Sequence, residues 1–74
     1  MQVTIYSKDQ CGHCVRAKTA LDNRKIPYTE LKLGRDFTRE QLLEQVPTAR
    51  TFPVVLVEGK HIGGADQLIT LLGN

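Results

Sequence analysis

Between Val3 and Leu33 the hydrophobic period changes twice, and this restricts the architecture more than any other feature of the chain. Val3 and Ile5 alternate with Thr4 and Tyr6, the two-residue period of a half-buried strand. From Gly12 to about Arg24 the period becomes helical: Cys14, Ala17 and Leu21 recur at steps of three and four, leaving Lys18, Asp22 and Arg24 for solvent. Pro27 separates this helix from a second predicted strand, Tyr28 to about Leu33, with Thr29, Leu31 and Leu33 on one side. A strand, a helix and a strand in that order join two parallel strands by a right-handed crossover.

The second half is equally regular. Thr38 and Gln41 form a Thr-x-x-Gln capping box, and Phe37 precedes the cap where it can staple onto Leu42. Leu42, Leu43 and Val46 give the expected buried stripe of that helix, which Pro47 stops. Val54-Val55-Leu56-Val57 is a continuous apolar run, the mark of a strand covered on both faces. Glu58-Gly59 reads as a two-residue hairpin turn, with Lys60 to Ile62 returning as a short last strand. Gly63-Gly64 opens a third helix, in which Ala65, Leu68, Ile69 and Leu72 share a face and Gly73 marks the end. The predicted order is βαβ-α-ββ-α: one α/β domain over residues 1–74, a mixed four-stranded sheet flanked by three helices. A chain of 74 residues buries only about 60% of its unfolded surface, which suits so compact a plan.

No stretch approaches the ~20 apolar residues of a membrane span, and the N-terminus lacks a charged-then-apolar export signal. The expected location is cytoplasmic. Ten basic and eight acidic residues leave a net charge of +2, dispersed along the chain. With no basic block and no interleaved aromatic stripe, nucleic acid is not an expected partner.

Both cysteines lie in one motif, Cys11-Gly12-His13-Cys14. A disulfide closing so small a loop removes little chain entropy, so the pair is chemical or metal-binding rather than structural. Cys11 stands where the first strand's loop meets the first helix. Helix N-termini carry unpaired N–H groups and partial positive charge, which lowers a thiol pKa from about 8.5 toward ~3.5–7.5. Lys8, three residues upstream, adds to that stabilisation. Cys14 falls in register with Ala17 and Leu21, predicting an exposed nucleophile at Cys11 and a shielded resolving thiol at Cys14. His13, as an imidazolium or as an N–H donor, would favour the thiolate and a more oxidising protein; the alternative is a solvated side chain with no energetic role.

Zinc is the competing chemistry, with Cys11, His13, Cys14 and His61 as possible ligands. Structural zinc usually takes two knuckles of paired ligands. The second is missing, and no metal is expected.

Four segments in order now carry a resemblance: Tyr6-Ser7-Lys8, Cys11-Gly12-His13-Cys14, Thr51-Phe52-Pro53 and Gly63-Gly64-Ala65-Asp66. Together they resemble the glutaredoxin family over essentially the whole chain. The resemblance implies a thioredoxin-like fold and a cis peptide at Pro53. It implies that the Phe52 backbone pairs with a bound peptide as an added strand. It further implies that glutathione is a co-substrate held by Lys8, Thr51, Phe52, Pro53, Ala65 and Asp66. Ala65 and Asp66 would take its γ-glutamyl end, through backbone N–H groups and the Asp66 carboxylate. Lys8 would face the glycine carboxylate, with Arg39 and Arg50 as further candidates. The chain departs from the family in the motif itself, where most dithiol members carry proline and tyrosine and this one has Gly12 and His13. Gly12 leaves the loop less rigid, and the aromatic contact to the ligand is absent. Cys-Gly-His-Cys is also similar to the motif of protein disulfide isomerases, whose domain is longer.

The implied activity is glutathione-dependent thiol–disulfide exchange by a monomer, acting on glutathionylated or disulfide-containing proteins, with Cys11 attacking and Cys14 resolving. Two alternatives stand beside it. One is a hydrogen donor to ribonucleotide reductase, itself reduced by thioredoxin reductase. The other is a carrier of an iron–sulfur cluster ligated by Cys11 thiolates and glutathione.

Overall fold

A computed structural model describes residues 1–73. The chain runs β1 (Val3–Ser7), α1 (Gly12–Asn23), β2 (Thr29–Lys32), α2 (Arg39–Gln45), β3 (Val54–Val57), β4 (Lys60–Gly63) and α3 (Ala65–Leu71). The strands form one sheet in the order β2-β1-β3-β4. β1 and β2 are parallel, with Ile5 opposite Glu30, while β1 and β3 are antiparallel, with Tyr6 opposite Val54. β3 and β4 form an antiparallel hairpin with an irregularity between Val55 and Leu56. The predicted thioredoxin-like α/β order is thus the observed one.

Alternation along the strands divides the core in two. Val3, Ile5 and Val55 face α1 and α3, packing with Ala17, Leu21, Ala65 and Leu68. Val54, Tyr6, Leu31 and Leu56 face α2, packing with Phe37, Leu42, Val46 and Ala49. Val54 and Val55 are both buried, so the central run is covered on both faces where it crosses the middle of the sheet.

Local signals account for the element ends. Thr38 Oγ1 accepts from Gln41 N–H at 3.1 Å while Gln41 Oε1 accepts from Thr38 N–H at 2.8 Å, the reciprocal box that starts α2. Glu58 and Gly59 take φ of 53° and 80°, both left-handed, the requirement of the tight hairpin turn between β3 and β4.

Three expectations need correction. Leu43 is exposed rather than part of the buried stripe: α2 is only seven residues long, and its single inward line is taken by Leu42 with Val46 at its C-cap. Thr29 is exposed where β2 enters the edge of the sheet, although Leu31 and Leu33 do pack toward α2. β2 also begins at Thr29 rather than Tyr28 and ends at Lys32, Leu33 contributing only a bridge to Phe37.

Candidate active site

β1 ends at Ser7, and three residues later Gln10 takes φ 54° before the chain enters α1. A non-glycine residue in the left-handed region stores strain and occurs preferentially at functional turns; here it immediately precedes Cys11, where the helix is capped. Cys11 is the N-cap of α1, with extended backbone, and its Sγ accepts from Cys14 N–H at 3.2 Å. The sulfur occupies the place that a serine or aspartate oxygen takes in an ordinary cap. No acidic side chain lies in the first turn to oppose a negative sulfur.

Cys11 and Cys14 are joined as a disulfide, with Cα atoms 5.2 Å apart. Their exposures are 9% and 2%. Cys14 is shielded as expected, with Ala17 and Leu21 below it. Cys11 corrects the expectation of an exposed nucleophile: it is the more open of the two, but its sulfur is tucked against the first turn that it caps.

Beneath the motif, Ser7 is fully buried, and its hydroxyl donates to Glu30 Oε2 at 2.7 Å, which also accepts from Lys18 Nζ at 2.9 Å. The Lys18 hydrogen bond, followed by that of Ser7, holds the Glu30 carboxyl below the usual carboxylate range. A hollow beside the cysteines is lined by Lys8, Gln10, Cys11, Lys18 and Lys32. Lys18 and Lys32 are neutralised by Glu30 and Asp9. Lys8 has no carboxylate partner among the described residues.

The antiparallel pairing of β1 and β3 brings the segment before β3 to the same end of the sheet. There the Phe52–Pro53 peptide is cis, as the resemblance implied, and Pro53 is buried. The main-chain N–H and C=O of Phe52 make no hydrogen bond among the described residues. The Phe52 ring stacks on Phe37 at 6.3 Å between centroids and carries two cations over it, Lys8 Nζ at 5.7 Å and Arg39 Cζ at 6.0 Å. Thr51 and Arg50 are exposed and line the adjacent groove with Arg39 and Phe52.

Gly64 caps α3 close to this loop: a Cβ placed there would lie 3.4 Å from the Pro53 carbonyl oxygen. Its N–H donates to Gln67 Oε1 at 2.9 Å. Ala65 is buried beneath the first turn and Asp66 is exposed. Asp66 pairs with Arg16 Nη2 at 3.0 Å, and Arg16 Nη1 lies 3.1 Å from His13 Nδ1. A guanidinium only donates, so Nδ1 is the acceptor in this contact. Arg16 is the residue that the sequence reading missed. Its spacing of three from His13 was a usable signal; its pairing with Asp66 was not.

His61, the fourth ligand weighed for zinc, is hydrogen-bonded to Thr48 Oγ1 at 2.7 Å. Among the described residues no three His, Cys, Asp or Glu converge as a metal-ligand set.

A disulfide-bonded cysteine pair thus stands at the N-terminus of α1, and a cis-proline segment leads into the strand that pairs with β1. The sequence profile of the Glutaredoxin family matches residues 3–62. The chain belongs to the glutaredoxin family. It is 34% identical over 70 residues to glutaredoxin 3 of Escherichia coli K12, covering 93% of this chain and 83% of that protein. A buckwheat glutaredoxin–glutathione complex superposes with a TM-score of 0.74 at 29% identity, covering 96% of this chain and 78% of that one. Glutaredoxin 1 from Francisella tularensis, solved with cacodylate, shares the fold with a TM-score of 0.78 at 23% identity, covering 99% and 98% of the two chains. This glutaredoxin is accordingly a thiol–disulfide oxidoreductase-like protein, and it carries a Cys11–Cys14 pair.

Proposed function

We propose that this glutaredoxin uses glutathione to reduce glutathione mixed disulfides and protein disulfides, acting as a cytoplasmic monomer. The observation that carries the reading is the unpaired backbone of Phe52, with Lys8 and Arg39 over its ring, Lys8 also lining the hollow beside Cys11. An extended tripeptide can add to such a backbone as a short strand. Lys8, Arg39 and Arg50, none paired with a carboxylate among the described residues, suit its C-terminal carboxylate, and Thr51 lies beside them. At the other end Ala65 and Asp66 open α3, where backbone N–H groups suit a carboxylate and the Asp66 side chain suits an ammonium.

The chemistry runs in two exchanges. The Cys11 thiolate attacks the glutathione sulfur of a mixed disulfide; a Cys11–glutathione bond forms, and the bond to the substrate sulfur breaks. The electron pair leaves with the substrate thiolate, which is protonated from water. A second glutathione thiolate then attacks the bound glutathione sulfur, releasing glutathione disulfide and the Cys11 thiolate. In the dithiol branch Cys14 attacks the Cys11 sulfur instead, expelling glutathione and forming the Cys11–Cys14 disulfide.

Turnover of a glutathionylated peptide tests this directly. Reduction sustained by glutathione, with little from thioredoxin reductase, is expected. Turnover with thioredoxin reductase alone would favour the ribonucleotide-reductase hydrogen-donor alternative and overturn the glutathione assignment.

A further inference from the structure

Arg16 follows His13 by one helical turn and is divided between two elements. Its Nη1 donates to His13 Nδ1 at 3.1 Å, and its Nη2 donates to Asp66 Oδ1 at 3.0 Å on α3. Nδ1 can accept only while it carries no proton, so the proton of the neutral ring resides on Nε2. With Nδ1 turned toward the guanidinium, Nε2–H is the ring's remaining polar group and points away from Arg16. Asp66 supplies the second attachment. A half-exposed arginine held at one end would retain much of its rotamer freedom, whereas a fork held at two ends presents its donors in a fixed plane.

We propose that Arg16 is a positioning residue for the redox motif: anchored by Asp66, it holds His13 as the Nε2–H tautomer between the two cysteines. Whatever takes Asp66 away from Arg16 loosens His13, and an incoming ammonium is the chemical group that does so. This second clause deepens the preceding reading, in which Asp66 receives the glutathione amino group. Ligand binding at α3 and the state of His13 become linked, and such linkage is reciprocal.

Nitrogen-15 imidazole spectra of the oxidised protein test the proposal without any ligand. The wild type is expected to show widely separated His13 signals, Nδ1 unprotonated and Nε2 protonated. In Arg16→Ala the two signals move toward each other as both tautomers exchange. Arg16→Lys follows alanine, because one ammonium cannot serve both partners. Asp66→Asn, which removes the anchoring charge, falls between. A proton on Nδ1 in the wild type, or a His13 spectrum unchanged in Arg16→Ala, overturns the proposal; an unchanged spectrum in Asp66→Asn overturns the anchoring by Asp66.

Kinetics give a second readout. Arg16→Ala should lower kcat by up to about fivefold, the worth of one hydrogen bond, and lower KM for glutathione as Asp66 loses its internal competitor. A raised KM would mean that Arg16 binds the ligand itself. If the wild type shows no turnover with glutathione, the proposed function fails, and the spectra still decide the role of Arg16.

Discussion

The main-chain N–H of Cys14 donates to the sulfur of Cys11 at 3.2 Å, so one sulfur of the pair is also the cap of the helix carrying the other. A neutral or disulfide sulfur is a weak acceptor, whereas a thiolate makes a charge-assisted bond. Reduction therefore strengthens the start of α1, and the helix in turn favours the reactive form.

This geometry separates the two cysteines functionally. Cys11→Ser is expected to abolish reduction of a glutathionylated peptide, while Cys14→Ser retains a large part of it, because the glutathione branch needs only the capping sulfur. Steady-state rates for both variants check this. Equal loss in the two would rule out the single-cysteine route.

Glu30 predicts a pH dependence of stability. Lys18 and then Ser7 hold its carboxyl below the ordinary range, so the folded protein releases this proton more readily than the unfolded chain. The stabilisation is full above the unfolded value, near pH ~4.3, and is lost as pH falls through the lower folded value. Glu30→Gln should cost about 1 kcal/mol at pH 7. The gap between wild type and variant, read from urea unfolding, should close below about pH 4. A gap that widens in acid would contradict the assignment.

Leu68 and Leu43 make a matched pair. Leu68 is fully buried against the sheet, while Leu43 is 43% exposed. Leu68→Ala should destabilise by about 2–5 kcal/mol, a large part of what a domain this small possesses. Leu43→Ala should change stability by less than about 0.5 kcal/mol. Denaturant midpoints at unchanged slope measure both.

Gly63 has φ +126°, and a Cβ there would come within 2.7 Å of Gln67 Cγ. Gly63→Ala should cost about 1–3 kcal/mol and displace the Gln67 side chain that accepts from Gly64 N–H. Faster hydrogen exchange at the Gly64 amide would show that displacement. An amide protected as in the wild type would argue against it.

Features encoded by neighbours along the chain were legible in advance. The Thr38–Gln41 box, the Cys14–Ala17–Leu21 line and the Glu58–Gly59 turn all depend on contacts within four residues. The cis Phe52–Pro53 peptide follows from the family resemblance, since no local pattern around Pro53 specifies a cis bond. What escaped depends on partners far apart. Leu43 has helical spacing suited to burial, but the length and seating of α2 leave it outside. Arg16 meets Asp66 across fifty positions, and no periodicity announces such a pair. Cys11 likewise looks open in a motif and is buried once the turn closes on it.

Tyr6 and Val54 lie opposite each other at one end of β1 and β3, so the cysteine turn and the proline turn leave the sheet from neighbouring positions. Adjacent strands lie about 4.8 Å apart; the gap between the two turns is thus framed by ladder hydrogen bonds, not by the turns themselves. The dipeptide inside the motif can vary, as Gly12-His13 does, without moving that frame. Substitutions deep in the sheet that slip its pairing by one residue would pull the two turns apart without changing a single residue in either.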